Sequence, residues 1–154
     1  MQIGSLAVLG AGQMGAGIAQ VAACAGYPVI MIDIQQKFVD RGIKTIEKSL
    51  SKLVSKGRMT QEESDSAMAL VSTSLSRKDA ADADLVIEAI PEVPELKFSA
   101  FRELDSICKE SAILASNTSS ISINEIADST NRPDRVIGMH FMNPVPVMQL
   151  VELI

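Results

Sequence analysis

The sequence predicts an α/β fold in which helices cover both faces of a doubly wound, mostly parallel sheet. Short apolar runs of strand length alternate with helical segments along the 154 residues. This alternation is typical of parallel sheets, whose strands are buried on both faces. A glycine-rich turn also separates the first apolar run from the first helical segment. No linker, repeat or low-complexity tract interrupts the series, so we expect one domain.

The first three elements predict a strand, a helix and a second, parallel strand. Leu6–Leu9 and Val29–Ile32 are uninterrupted apolar runs, and residues 13–25 between them have apolar side chains at helical spacing. The predicted buried face of this helix consists of Ile18, Val21, Ala22 and Ala25.

Two further helices are predicted before the next strand. The first covers residues 35–55, where apolar side chains recur on one face, and Gly57 ends it. The second begins at Thr60, because Thr60 and Glu63 have the spacing of a capping box, in which each side chain bonds the other residue's backbone N–H. This pair predicts a helical hairpin inserted into the α/β alternation.

The rest of the chain predicts further strands at 84–89, 112–115 and 135–139. Helices are expected at 95–109 and 123–128, and Ser122 and Glu125 have capping-box spacing at the start of the second. The run 148–154 is also apolar and predicts a last, buried strand. Because no helix follows to cover it, we expect the chain to be a truncated piece of a longer protein.

The composition argues against several classes of function. The formal net charge is −5 and no basic cluster occurs, which disfavours nucleic acid or a membrane as partner. The apolar start of the chain is broken by glycines and lacks a basic leading segment, so it predicts neither a signal peptide nor a membrane span. Cys24 and Cys108 have no metal-ligand spacing, which favours reduced thiols in a cytoplasmic protein without a metal site.

The turn after the first strand has the sequence Gly10-Ala-Gly12-Gln-Met-Gly15. The first glycine permits a tight turn, the second lets a pyrophosphate approach the backbone, and the third lets the helix pack against the strand. Asp33, at the end of the second strand, would accept the ribose hydroxyls of NAD and repel the extra phosphate of NADP. These residues predict a Rossmann-type fold that binds NAD. The alternative is a glycine-rich turn that binds nothing.

The only histidine of the sequence, His140, follows a predicted strand at the sheet edge where α/β proteins bind ligands. The polar run 116–120 ends the preceding strand and should reach the same crevice, although such a run could also form only a turn and a helix cap. Histidine suits proton abstraction from an alcohol. A carboxylate on its other nitrogen would fix the tautomer. Glu152 could supply it or could face outward, and the alternation of the strand leaves both open.

Four segments together resemble the 3-hydroxyacyl-CoA dehydrogenase family. They are GAGQMGAGIAQVAACAGYPVIMID, LVIEAI, SNTSSISINEIA and GMHFMNPVPVMQLVELI. The resemblance runs the length of the chain, and the last segment is the most specific. It implies an NAD-binding domain that takes part in oxidising L-3-hydroxyacyl-CoA to 3-oxoacyl-CoA and in the reverse reaction.

The resemblance also implies roles for single residues. His140 and Glu152 correspond to the family's catalytic pair, and Ser119 to the serine that contacts the substrate's 3-oxygen beside the nicotinamide. The implied cofactor contacts are Gly10, Gly12, Gln13, Met14, Gly15, Asp33, Glu92, Lys97, Ser119 and Asn143. The implied coenzyme A contacts are Ser49 and Lys56. Two prolines, Pro91 and Pro94, depart from the family's usual sequence around Glu92.

The family also has a helical second domain, which completes the acyl-CoA cleft and forms a homodimer, so the resemblance implies a dimer for the full-length protein. Two other functions remain open. One is a β-hydroxyacid dehydrogenase of a related family, which the SNTSS and HFMNP segments do not fit. The other is a dinucleotide-binding module without catalysis, against which the set of Ser119, His140 and Glu152 counts.

Overall fold

Seven strands form one sheet in the computed structural model, which describes residues 2–154. The strands are β1 Leu6–Leu9, β2 Val29–Ile32, β3 Val71–Ser74, β4 Leu85–Glu88, β5 Ile113–Ser116, β6 Val136–Phe141 and β7 Val151–Leu153. Their order is β3-β2-β1-β4-β5-β6-β7. The first six are parallel and β7 pairs antiparallel with β6. The chain grows outward from β1 to β3 and then returns to β4, so the predicted doubly wound Rossmann-type fold is confirmed.

Helices lie on both faces of this sheet. They are α1 Gln13–Cys24, α2 Gln36–Ser55, α3 Gln61–Ala69, α4 Pro94–Ile107 and α5 Ile123–Asp128. The side chains of β1 alternate between two hydrophobic cores: Leu6 and Val8 pack with α1, α2 and α3, and Ala7 and Leu9 pack with α4 and α5. Between residues 2 and 154, no helix is both long and apolar enough to cross a bilayer.

Helix α1 is buried more widely than the predicted single face. Residues 15–20 are all buried, and so are Ala22 and Ala23, whereas Ala25 is exposed beyond the helix end. The cause is that α1 lies between the sheet on one side and α2 and α3 on the other. Its small side chains allow that close packing, so a one-faced pattern was the wrong expectation for this helix.

The predicted hairpin is the connection between β2 and β3. Thr60 and Glu63 form both hydrogen bonds of the predicted capping box, and Gly57, with φ +67°, follows the end of α2. Strand β3 was not predicted. Its sequence, Val-Ser-Thr-Ser, lacks an apolar run because it is an edge strand with one neighbour and two exposed side chains.

The last apolar run forms strand β7. We expected this strand to be buried, but most of it is exposed. Glu152 and Leu153 are exposed, and the side chain of Leu153 is 71% accessible. β7 is the outermost strand beyond β6, so it has one neighbour in the sheet. Within residues 2–154, β7 is therefore an edge strand and not a core strand.

Candidate active site

The carboxyl ends of the parallel strands bring the predicted site residues to one edge of the sheet. The glycine loop follows β1, and Asp33 follows β2. Glu88 ends β4 directly beside Ser116, which ends β5, and His140 lies in β6. The order of the strands reverses between β1 and β4, where open α/β sheets bind their ligands.

Two glycines of the loop are required by the fold itself. Gly10 has φ +100°, and a Cβ there would lie 2.5 Å from the carbonyl oxygen of Ala89. A Cβ on Gly15 would lie 1.9 Å from the carbonyl oxygen of Gly10. The loop and the first turn of α1 can pack this closely only without side chains at these two positions.

The middle glycine has a different environment. Gly12 is exposed, has φ −70°, and a Cβ there would meet no protein atom within 4 Å. Nothing in the fold therefore needs a glycine at this position. The open space lies over the N-terminal end of α1, whose first turn has neither a side-chain cap nor an acidic residue. A pyrophosphate on those backbone N–H groups fits this space, so the residues present fit NAD.

Asp33 supports the glycine loop. Its Oδ2 accepts from the Ala11 N–H at 2.7 Å, and its Oδ1 accepts from the Ile34 N–H at 2.7 Å. Asp33 and Arg77 both line a small cavity beside Gly10, and the sequence did not indicate that Arg77 lies there. The Arg77 guanidinium is paired with Glu103, with 2.5 Å between Nη1 and Oε2. Asp33 thus offers an acceptor beside an arginine that already has a carboxylate partner.

His140 is held through both ring nitrogens. Its Nε2 lies 3.1 Å from the Ser119 hydroxyl oxygen, and its Nδ1 lies 2.8 Å from Glu152 Oε2. His140 and Glu152 are direct partners in the antiparallel pair of β6 and β7. The Glu152 carboxylate therefore turns to the imidazole, which decides between the two orientations that the sequence left open.

Glu92 holds the loop that carries Ser119. Its Oε1 accepts hydrogen bonds from the Thr118 hydroxyl, from the Ser119 N–H at 3.1 Å and from the Ser120 N–H at 3.2 Å. Burial alone would raise the pKa of Glu92, but the Thr118 hydroxyl and the charge of Lys97 outweigh it and lower the pKa from 4.5 to about 2. Glu92 is thus a carboxylate at neutral pH.

Lys97 lies behind Glu92 and is only 1% exposed. Its Nζ contacts Glu88 Oε1 at 2.6 Å, the Ile90 carbonyl oxygen at 3.2 Å and Glu92 Oε2 at 3.2 Å. The first two contacts are hydrogen bonds and the third is an ion pair. In this arrangement the buried Lys97 contacts the more exposed Glu92. Sequence reasoning missed Glu88, although an acidic residue that ends an apolar strand was the available signal.

The segment after β6 docks onto the start of α1. The Gln13 side-chain amide donates to Asn143 Oδ1 at 3.1 Å, which joins two of the predicted cofactor contacts. Met14, the half-buried neighbour of Gln13, packs against the core that contains α1. Asn117 was not predicted, and its Oδ1 accepts from the Phe141 N–H at 2.8 Å. These two bonds hold the chain that follows His140.

The two predicted coenzyme A contacts lie on α2. Ser49 is half-buried, and Lys56 is exposed at the C-cap of that helix. Neither belongs to the hydrogen-bonded group around His140. No group of three or more His, Cys, Asp or Glu in the described part of the chain, residues 2–154, is placed to hold a metal ion.

Comparisons with known proteins show the family of the chain. The model of the family "3-hydroxyacyl-CoA dehydrogenase, NAD binding domain" matches residues 5–154. A probable 3-hydroxybutyryl-CoA dehydrogenase of Bacillus subtilis is 52% identical over 154 residues, which are 100% of this chain and 54% of the relative. A 3-hydroxybutyryl-CoA dehydrogenase of Clostridioides difficile is 48% identical over 149 residues, 97% of this chain and 53% of the relative.

Solved structures give the same result. FadB2 of M. tuberculosis superposes with a TM-score of 0.97 at 45% identity, over 99% of this chain and 54% of that one. The (S)-3-hydroxybutyryl-CoA dehydrogenase PaaH1 of Ralstonia eutropha gives 0.96 at 47% identity, with 99% and 54% covered. The chain thus spans about half the length of the relatives it matches. It belongs to the 3-hydroxyacyl-CoA dehydrogenase family, whose NAD-binding domain it matches over residues 5–154.

Proposed function

We propose that this chain is the cofactor-binding and proton-transferring part of an NAD-dependent L-3-hydroxyacyl-CoA dehydrogenase. The observation that carries the proposal is the series of hydrogen bonds that joins Ser119, His140 and Glu152. It lies at the same edge of the sheet as the glycine loop. Relatives named as 3-hydroxybutyryl-CoA dehydrogenases match nearly the whole chain and support this substrate class. The reaction is the oxidation of 3-hydroxyacyl-CoA to 3-oxoacyl-CoA, and its reverse.

In this mechanism His140 Nε2 takes the proton of the substrate's 3-hydroxyl. Glu152 binds Nδ1–H, which leaves Nε2 as the basic nitrogen, and its charge stabilises the imidazolium that forms. Ser119, whose hydroxyl lies 3.1 Å from Nε2, holds the same substrate oxygen. NAD, when bound, would supply the hydride acceptor for C3, so that loss of the hydroxyl proton to His140 and of the C3 hydride would leave a carbonyl.

The other predicted residues are assigned by their places around the crevice. The pyrophosphate would rest on the loop of Gly10, Gly12 and Gly15 and on the backbone of Gln13 and Met14. Asp33 would accept the adenosine ribose hydroxyls. Glu92, supported by Lys97, and Asn143 would line the nicotinamide side. On α2, Ser49 and Lys56 would bind coenzyme A, since an ammonium and a hydroxyl are suitable partners for phosphate.

The remaining half of the protein is also part of the proposal. We place the acyl-binding wall and the homodimer contact in a helical segment outside residues 1–154. The relatives, about twice as long as this chain, support that division. A cytoplasmic location is supported by the two cysteines, which are both free.

The test is an assay of the full-length protein with acetoacetyl-CoA and NADH, in parallel with free 3-hydroxy acids and NAD. The proposal expects turnover of the CoA ester, and loss of that turnover by about 10²–10⁴-fold in His140→Ala. Turnover of free hydroxy acids alone would favour the β-hydroxyacid dehydrogenase instead. NAD binding without turnover of any substrate would favour a non-catalytic module.

The isolated chain provides a second comparison. With NADH, the isolated chain should reduce acetoacetyl-CoA hardly at all, because it lacks the wall that would position C3 over the nicotinamide. Such positioning supplies several kcal/mol of catalysis. Adding the remaining segment in trans should restore turnover. Substantial activity of the chain alone would place the substrate site within these residues and contradict the proposed division.

A further inference from the structure

Glu88 is a carboxylate with no contact to solvent. Its exposed fraction is 0%, and it ends strand β4 between apolar neighbours. Oε1 accepts from Lys97 Nζ at 2.6 Å and from the Ile90 N–H at 2.7 Å, and Oε2 accepts from the Ser116 hydroxyl at 2.6 Å. Every buried polar side-chain atom in the described residues has a partner. The group is therefore complete and fixed rather than poised to bind something.

Two chains of contacts lead from Glu88 to the loop that carries Ser119. In the first, Glu88 holds the Lys97 ammonium, Lys97 contacts Glu92 at 3.2 Å, and Glu92 accepts the Ser119 N–H at 3.1 Å. In the second, the Ser116 hydroxyl bonds Glu88 and accepts from the Thr118 N–H at 3.2 Å. The first chain of contacts ends at Ser119 and the second at Thr118, the residue before it. The Ser119 hydroxyl contacts His140 Nε2.

Stability alone is a poor reason for this buried ion pair. Removing two charges from water costs several kcal/mol per ion, and replacing a buried pair with apolar groups of similar size is often neutral or stabilising. The pair does, however, have fixed geometry, because Lys97 and Glu88 are 1% and 0% exposed. A rigid ammonium beneath Glu92 holds that half-exposed carboxylate in one position, and Glu92 alone accepts two consecutive backbone N–H groups of the loop.

We propose that Glu88 and Lys97 are positioning residues, whose buried pair sets the place of Ser119 relative to His140. The catalytic meaning of this placement rests on the proposed function above. The placement itself does not, because it concerns one hydrogen bond within the chain. It can therefore be measured without cofactor, substrate or turnover.

The measurement is the NMR chemical shift of the two imidazole nitrogens, which is unambiguous because the sequence has one histidine. Ser119→Ala defines the shift of Nε2 when the hydroxyl is lost. In the double variant Glu88→Gln with Lys97→Met, the charges leave together and the Gln amide can still bond Ser116. We expect this variant to fold, Nε2 to move by most of the Ser119→Ala change, and Nδ1, which is bound to Glu152, to move less.

A matched control is the pair of Arg132 and Asp105, whose side chains are 13% and 9% exposed. Asp105 lies in α4, and the hydrogen-bond partners of its side chain in the described residues are Asn131 and Arg132 rather than residues of the Ser119 loop. Asp105→Asn with Arg132→Met removes comparable charges, and Nε2 should keep its wild-type shift. If the control moved Nε2 as far as the double variant does, general loosening would explain the result and the proposal would be overturned.

The remaining outcomes also decide the question. A folded double variant with an unchanged Nε2 shift makes the pair merely structural and overturns the proposal. If the double variant does not fold, Glu88→Gln alone replaces it, because the amide retains the shape and Lys97 retains Glu92. A smaller shift in the same direction supports the proposal, and no shift overturns it. If the unmodified full-length protein were inactive while the Nε2 signal still moved in the double variant, the proposed function would be refuted and the positioning role would stand.

Discussion

Asp33 serves the glycine loop and the proposed cofactor at once. Each oxygen accepts one backbone N–H, from Ala11 and from Ile34, and keeps a lone pair for a ribose hydroxyl. Asp33→Asn should weaken NAD binding by about 1.5–3 kcal/mol, roughly tenfold to a hundredfold, because hydrogen bonds to charged groups have that strength. NADP should lose less, since its extra phosphate is no longer repelled.

The two cofactors would be titrated into the purified chain and into the variant. The unmodified chain should prefer NAD, and the ratio of the two dissociation constants should narrow in Asp33→Asn. In Asp33→Ala the acceptor for the Ala11 N–H disappears as well, so NAD binding should fall further than in Asp33→Asn. Equal or tighter binding of NADP by the unmodified chain would refute the assignment of Asp33.

Glu152 and His140 should behave as one unit in the full-length enzyme. Glu152→Gln keeps the size of the side chain but removes the charge that would stabilise an imidazolium at His140 Nδ1, 2.8 Å away. Turnover should therefore fall about as severely as in His140→Ala, by about 10²–10⁴-fold. Steady-state kinetics with acetoacetyl-CoA measures both variants. Near-normal turnover of Glu152→Gln would reduce Glu152 to an edge-strand residue.

The start of α1 separates glycines that the fold needs from one that it does not. Gly15→Ala places a methyl group 1.9 Å from the Gly10 carbonyl oxygen and should destabilise the chain by about 1–3 kcal/mol or more. Gly12→Ala meets no protein atom within 4 Å, so its unfolding free energy should change by less than about 1 kcal/mol. NAD binding should nevertheless weaken by roughly tenfold, about 1.4 kcal/mol, because the methyl group fills the pyrophosphate's space.

Urea unfolding and NAD titration of the same two variants measure both effects. The informative result is the contrast: a stable Gly12→Ala that has lost affinity, and an unstable Gly15→Ala. A Gly12→Ala chain with unchanged affinity would show that the pyrophosphate does not approach this backbone.

Asp84 ties the start of β1 to the region beside α4. Its Oδ1 is 2.6 Å from Lys109 Nζ and its Oδ2 accepts from the Gly4 N–H at 2.7 Å. The Lys109 side chain above all, and then the Gly4 N–H, lower the pKa of Asp84 from 3.8 to about 2. Because the folded pKa is the lower one, this carboxylate stabilises the fold above about pH 4, and the contribution is lost as the pH falls toward 2.

Asp84→Asn should therefore lower the free energy of unfolding at pH 7, and its difference from the unmodified chain should shrink between pH 4 and 2. Urea midpoints measured across this range provide the test. Lys109→Met should reproduce part of the effect, because it removes the main cause of the lowered pKa. If the difference in unfolding free energy between Asp84→Asn and wild type did not change with pH, the contacts of Asp84 would be equally stabilising with a protonated carboxyl.

At the scale of the molecule, one edge of the sheet is apolar and exposed. Val147, Leu153 and Ile154 are 70%, 71% and 66% exposed, and β7 offers the unpaired side of an edge strand. Such edges pair with other chains. We expect the chain to self-associate as its concentration rises, and Leu153→Lys to oppose this by placing a charge on the edge. Sedimentation at several concentrations measures it, and a wild-type chain that stays monomeric would contradict the expectation.

Most of the elements were predictable because their signals are local. Apolar runs, helical spacing and the glycine turn involve residues close in sequence, so six of the seven strands and all five helices were expected within a few residues of their positions. The strand pattern left the orientation of the Glu152 side chain open, because strand alternation does not say which neighbour a side chain meets. Strand β3 was missed, since a half-polar edge strand has no distinctive sequence pattern.

By itself, the sequence determined where six of the strands and the five helices lie along the chain, the glycine loop and the acid at Asp33. All of these depend on near neighbours in the chain. The tertiary structure alone decided that Arg77 and Asp33 line one cavity and that Glu88 and Lys97 form a buried pair behind Glu92. It also showed that Glu152 faces His140, which the family resemblance implied and the strand pattern left open. Strand order and register bring these groups together from distant parts of the chain. Whether a charge lies in water or beside its counter-ion is set by that packing, so local sequence patterns could not reveal it.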